Sequence, residues 1–152
     1  MNIDLTIQNP SKIKNIPTKK QFIAWIESVL GARHKKCEIL IRIVDAKEIT
    51  KINKTYRNKN KPTNIISFEF DPPPGVKTNF LGDMIICASV VKAEAKLQHK
   101  TIISHWAHLT VHGTLHLLGY DHIDDADAEK MEKLEVKILK KLDFPDPYAS
   151  LV

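Results

Sequence analysis

Apolar positions along the chain follow two periods, and the places where one gives way to the other mark the elements. Ile3, Leu5 and Ile7 fall at every second position of Asn2 to Gln8 among polar neighbours, the pattern of a half-buried strand. From Thr18, read as an N-cap, Phe22, Ile23, Trp25, Ile26, Val29 and Leu30 recur at helical spacing until Gly31 supplies a stop. Glu38 to Val44 is rich in β-branched residues and alternates Ile39, Ile41 and Ile43, which predicts a second strand. Asp45 caps a helix over about 46–56. It leads into the polar segment Tyr56 to Asn64, where Pro62 disfavours helix in the residue before it. Ile65 to Phe70 reads as a third strand, Asp71 to Gly75 as a rigid proline loop, and Leu81 to Ala88 as a fourth strand.

Ser89 starts a helix that ends near His99 and Lys100, and Thr101 or Ser104 opens another that Gly119 terminates. Ile102, Ile103, Trp106, Ala107, Leu109, Val111, Leu115, Leu117 and Leu118 lie on every side of this second helix, which predicts a helix buried in the core. Beyond Asp124 an amphipathic helix carries Met131, Leu134, Val136, Ile138, Leu139 and Leu142 and runs to the breaks at Pro145 and Pro147. Strands interspersed with helices predict an α+β fold with a mixed β-sheet flanked by helices. Nothing repeats and no linker divides the chain, so residues 1–152 read as a single domain.

At 152 residues and 43% hydrophobic content the chain can bury one core. No apolar run reaches the ~18–20 residues of a membrane span, and the N-terminus lacks the basic start and apolar stretch of a signal peptide, so a cytoplasmic protein without a membrane partner is expected. Cys37 and Cys87 offer neither a disulfide framework nor a CxxC knuckle and are expected to be core thiols. The net charge of +5 conceals an asymmetry: residues 1–61 hold 14 Lys/Arg against 5 Asp/Glu, and residues 62–152 hold 9 against 13. Lys19, Lys20, Lys35, Lys36, Lys51, Lys54, Arg57, Lys59 and Lys61 would attract a polyanion if they converge; an ordinary solvated surface is the alternative.

The buried helix carries His105, His108, His112 and His116, which fall within an arc of roughly 80° at about 100° per residue. A polar stripe on an apolar cylinder needs hydrogen-bond partners or a metal. His112 and His116 stand at i and i+4 and can grip one ion, and the turn at Gly119 brings His122 as a third donor. The offsets 0, 4 and 10, with glycine at 7, match the ligand spacing of the metzincin motif H-E-x-x-H-x-x-G-x-x-H. Three histidines leave a coordination position for water, the pattern of a catalytic zinc.

The residue after the first histidine decides between chemistries. Peptidases place their glutamate base there, and this chain has Gly113. Asp83, Glu69 and Asp121 are the other candidate bases, each with a structural alternative: a hydrogen bond to a buried amide for Asp83, solvent for Glu69, and orientation of a ligand imidazole for Asp121. Arg57, beside Lys59 and Lys61, suits a phosphodiester and its transition-state charge, against the alternative of a solvated loop arginine.

These residues resemble the YbeY family of metal-dependent endoribonucleases that act as rRNA maturation factors. His112 to His122 is similar to the family's H-G-x-L-H-L-x-G-Y-D-H signature. Asn53 to Arg57, Pro62 to Phe68 and Leu81 to Ile85 resemble its N-x-x-[YF]-R, T-[DN]-V-L-S-F and L-G-D-[IV]-x-I segments. The chain departs from the pattern at Asn60, Lys61 and Ile65-Ile66, and at Asp143, which stands near an expected glycine. The resemblance implies a zincin-like metal-binding helix and turn, with one zinc or another divalent ion on His112, His116 and His122 and with Arg57 required for RNA cleavage. It also implies rRNA precursors as substrate, processing of the small-subunit rRNA 3′ end, ribosome quality control and ribosome-associated partners. Two rival readings are a zinc-stabilised RNA-binding, ribosome-associated factor without catalysis, and a peptidase-like metallohydrolase, which Gly113 opposes.

Overall fold

The computed structural model describes residues 3–31, 36–120 and 124–149. Four strands, β1 (Ile3–Gln8), β2 (Cys37–Val44), β3 (Ile65–Glu69) and β4 (Phe80–Cys87), form one mixed sheet in the order β1-β2-β4-β3. β1, β2 and β4 are parallel, whereas β3 runs antiparallel to β4 on the outer edge. The helices are α1 (Lys19–Leu30), α2 (Ala46–Arg57), α3 (Ala88–Leu97), α4 (Ile102–Leu117) and α5 (Asp125–Lys141). The predicted α+β class and all nine elements are present, most boundaries within one or two residues, while α3 and α5 end earlier than expected, at Leu97 and Lys141.

Local chemistry accounts for the helix starts. Thr18 and Gln21 form a reciprocal capping box on α1, while the side chains of Asp45, Thr101 and Asp124 accept from backbone amides of α2, α4 and α5. Helix α3 differs: it begins at Ala88, one residue before the expected Ser89, and its N-cap Cys87 makes no side-chain cap. Cys37 and Cys87 are buried and not joined in a disulfide, as expected.

Period-two alternation divides the sheet residues between two faces. Leu5, Ile39, Ile41, Ile43, Ile65, Met84 and Ile86 join Phe22, Trp25 and Ile26 of α1, Trp106, Leu109 and Leu115 of α4, and Met131 and Leu139 of α5 in the main core. Val44, Ile49, Ile66, Ile85 and Cys87 form a smaller core under α2 on the other face. Helix α4 packs against α1, α3, α5, β3 and β4, which explains its apolar residues on every side. Its first turn is the exception to the predicted burial, since Ile102 and Ile103 are exposed and burial begins at Ser104. Inside the core, Thr110 and Thr114 donate to the carbonyls of Trp106 and Thr110 at 2.8 and 2.7 Å, so the helix satisfies these hydroxyls itself.

The approach of α4 to the sheet explains Gly113. A Cβ at this position would lie 2.6 Å from Met84 Sδ, 2.7 Å from Ile65 Cδ1 and 3.1 Å from Ser67 Oγ. The glycine that replaces the peptidase glutamate is therefore also a packing requirement. Gly113→Glu should destabilise the protein by more than about 3 kcal/mol, through overpacking and a buried charge. Chemical denaturation measures this, and stability within about 1 kcal/mol of wild type would reject the account.

Candidate metal centre and nucleic-acid cleft

The four α4 imidazoles meet different partners along one strip. His105 is buried, with its Nε2 2.9 Å from Glu94 Oε1 of α3. The same oxygen accepts from Asn64 Nδ2 at 2.9 Å, and Asn64 Oδ1 takes the Ile65 amide at 2.6 Å. This bridge joins α3, α4 and the entry to β3. Burial pushes the His105 pKa down and Glu94 only partly opposes it.

Further along, Glu135 of α5 is fully buried and both its oxygens are engaged. Oε1 lies against His112 Nδ1, and Oε2 accepts from the Tyr148 hydroxyl. His108 Nε2 is 3.2 Å from that hydroxyl and 3.8 Å from Oε2. Burial alone would raise the pKa of this carboxyl. His108, and the hydrogen bonds from His112 and Tyr148, outweigh burial and hold it at about 2. On its opposite edge, His112 Nε2 faces His116 Nε2 at 3.0 Å. Donor atoms of His108, His112 and Glu135 lie within 4.8 Å of one another, so these three residues also form a group that could hold an ion.

A cleft of about 720 Å³ opens over the strip, lined by Arg57, Lys59, Asn64, Ser67, His112 and His116, with Tyr148 on its wall. Arg57 arrives there as the last residue of α2. The first turn of α2 is tied to β2 by the Arg42–Glu48 fork, at 2.6 and 3.1 Å. At the other end Asn58 adopts a left-handed conformation, and the buried Asn53 holds the returning loop through its backbone carbonyl to Lys59 N and its Nδ2 to Lys61 O. The loop therefore turns back over the edge strand and presents Arg57 and Lys59 to the imidazoles.

The structure brings together three of the four residues proposed from sequence: His112 and His116 are adjacent, and Arg57 lines the same cleft. His122 and the candidate base Asp121 lie outside the described residues. Asp83 does not line the cleft, because Met84 faces Gly113 and strand alternation turns Asp83 to the opposite face. The expected bond to a buried amide is not made by its Oδ1, which is buried without a partner, and burial raises its pKa. Glu69 is exposed, with Oε1 4.0 Å from where a Cβ on Gly119 would stand. Of the described basic residues named from sequence, Arg57 and Lys59 line the cleft and the others do not. Sequence reasoning missed Glu135, Tyr148 and Asn64. Glu135 was findable: it lies four residues after Met131 and three before Ile138, on the apolar stripe of α5.

The chain matches the family described as Endoribonuclease YbeY over residues 6–143. It belongs to that family. YbeY membership makes it a hydrolase acting on RNA. Its fold is similar to the solution structure of TM1509 from Thermotoga maritima, described as VT1, a NESGC target protein. The two share 20% identity at a TM-score of 0.59, over 97% of this chain and 100% of that one. No helix among the described residues is long and apolar enough to cross a membrane.

The Glu135 carboxyl gives a pH test. Its folded pKa of about 2 lies below the ordinary 4.5, so it contributes stability that is present above about pH 4.5 and lost as pH falls through about 2. The linkage is on the order of 3 kcal/mol. Melting of metal-free protein should show a midpoint falling across this window. Glu135→Gln should start lower at neutral pH and change less, and parallel curves for the two proteins would contradict the assignment.

Proposed function

We propose that the protein is a zinc-dependent endoribonuclease of single-strand type that acts in the cytoplasm on rRNA precursors, in small-subunit 3′-end maturation and ribosome quality control, with ribosome-associated partners. The observation that carries this reading is the cleft in which Arg57 and Lys59 face the paired imidazoles of His112 and His116. Residues 1–152 act in it as one endoribonuclease domain.

His112, His116 and His122 would hold one ion. The donors fit: imidazole nitrogens suit zinc, and the Nε2 pair at 3.0 Å stands close to the about 3.3 Å expected of two nitrogens in a tetrahedral zinc site. His112 is shared with the His108 and Glu135 group, but a neutral imidazole has one lone pair. The buried carboxylate accepts a hydrogen bond from Nδ1–H, which leaves the Nε2 lone pair for the ion on the cleft side. When bound, zinc supplies a Lewis acid that lowers the pKa of water and polarises a phosphoryl oxygen.

The remaining work falls to the chain. The Arg57 guanidinium binds the scissile phosphate and stabilises the charge that develops on it, and Lys59 attracts the neighbouring backbone. Asn64, held by Glu94, contributes a fixed polar group on the cleft wall. Gly113 leaves no carboxylate where peptidases carry their base, which argues against the peptidase reading.

Two substitutions separate catalysis from binding. His116→Ala should remove the metal and abolish cleavage of precursor rRNA while the protein still folds. Arg57→Ala should keep metal content and fold and lower the cleavage rate by at least about 100-fold, the loss expected when one transition-state charge partner goes. Cleavage by metal-free His116→Ala protein would leave the RNA-binding, non-catalytic reading, and an unchanged rate in Arg57→Ala would remove that residue from the reaction.

A further inference from the structure

We infer that Glu135 and Tyr148 are positioning residues for the metal site, a pair that holds His112 with its Nε2 lone pair towards the cleft, so that the C-terminal segment 145–149 is part of the site. The inference rests on the proposed metal binding by His112 and His116.

The hydrogen bonds converge on Glu135. A carboxylate has no proton to give, so Glu135 Oε2 accepts from the Tyr148 hydroxyl and Oε1 accepts from His112 Nδ1. With its only proton committed, Tyr148 accepts from His108 Nε2 at 3.2 Å. His108 then has no proton on Nδ1, and that atom is indeed buried without a partner, where a bare lone pair costs less than a stranded N–H. At the other end, with the His112 proton on Nδ1, its Nε2 presents a lone pair on the side of His116, 3.0 Å away.

Tyr148 reaches this position by construction. Its amide is held 2.8 Å from Asp146 Oδ1, Ala149 N lies 3.2 Å from Asp146 O, and prolines at 145 and 147 stiffen the segment. The residue is 44% exposed, yet its hydroxyl meets a carboxylate with no exposure. Its ring stands edge-on to His108, with centroids 5.3 Å apart, and forms cleft wall. An exposed tyrosine whose hydroxyl bonds the buried carboxylate behind a proposed ligand is placed to tune that ligand.

The test measures zinc affinity by competition with a chromophoric chelator, together with the visible spectrum of the cobalt(II) protein, for wild type, Glu135→Gln, Tyr148→Phe, His108→Ala and His116→Ala. Glu135→Gln should weaken zinc binding about 10–100-fold. Tyr148→Phe should weaken it about 2–10-fold, and both should shift the cobalt bands while circular dichroism stays that of a folded protein. Wild-type affinity and spectrum in both variants would overturn the inference. So would a complete loss in Glu135→Gln and His108→Ala with His116→Ala unaffected, which would make Glu135 and His108 ligands themselves. If Glu135→Gln does not fold, Tyr148→Phe carries the test, since it removes one oxygen and keeps the ring. Metal-binding failure in the wild type would instead reject the proposed function beneath it.

Discussion

A buried imidazole must find a partner for each nitrogen that cannot reach water, and α4 imposes that requirement at four positions along one strip. The fold meets it unevenly. His105 is bonded to a carboxylate of α3, and His108 to the hydroxyl of Tyr148. His112 meets the Glu135 carboxylate on one edge and His116 on the other, in the lining of a cleft. His105 and His108 each keep one buried nitrogen without a hydrogen bond, whereas His112 and His116 come together in the lining of the cleft, which makes that end of the helix the candidate site.

Charge is layered across that site. A carboxylate held ionised by its neighbours sits behind His112, whereas Arg57 and Lys59 stand in front of it. The carboxylate behind fixes the orientation of the imidazole, and the positive charge in front is of the sign that attracts a phosphate chain. The two layers come from different halves of the chain. They meet because α2 lies across one face of the sheet and turns back at the edge strand, while α5 and Tyr148 close over α4 on the other.

Packing decides what chemistry the cleft excludes. Helix α4 lies close enough to β3 and β4 that position 113 has no room for a side chain, so the place of a peptidase base is filled by Met84 and Ile65. A similar economy occurs at Asp143, near an expected family glycine: its φ of 65° is the left-handed conformation a glycine takes most easily and aspartate tolerates.

Periodicity made the elements legible, since strand and helix patterns depend on local alternation and the N-caps on side chains a few residues away. The spacing of His112 and His116 could be read for the same reason, because one helical turn brings i and i+4 together whatever surrounds them. Relations across the fold could not be read this way. Whether Arg57 faces the histidines depends on how α2 crosses the sheet. The turning of Asp83 away from them depends on which face of β4 meets α4. Glu135 and Tyr148 become partners of His112 only when α5 and the last turn pack over it. Local order along the chain follows from residues in sequence contact, whereas the partners of a buried polar group are chosen by packing between elements far apart in the chain.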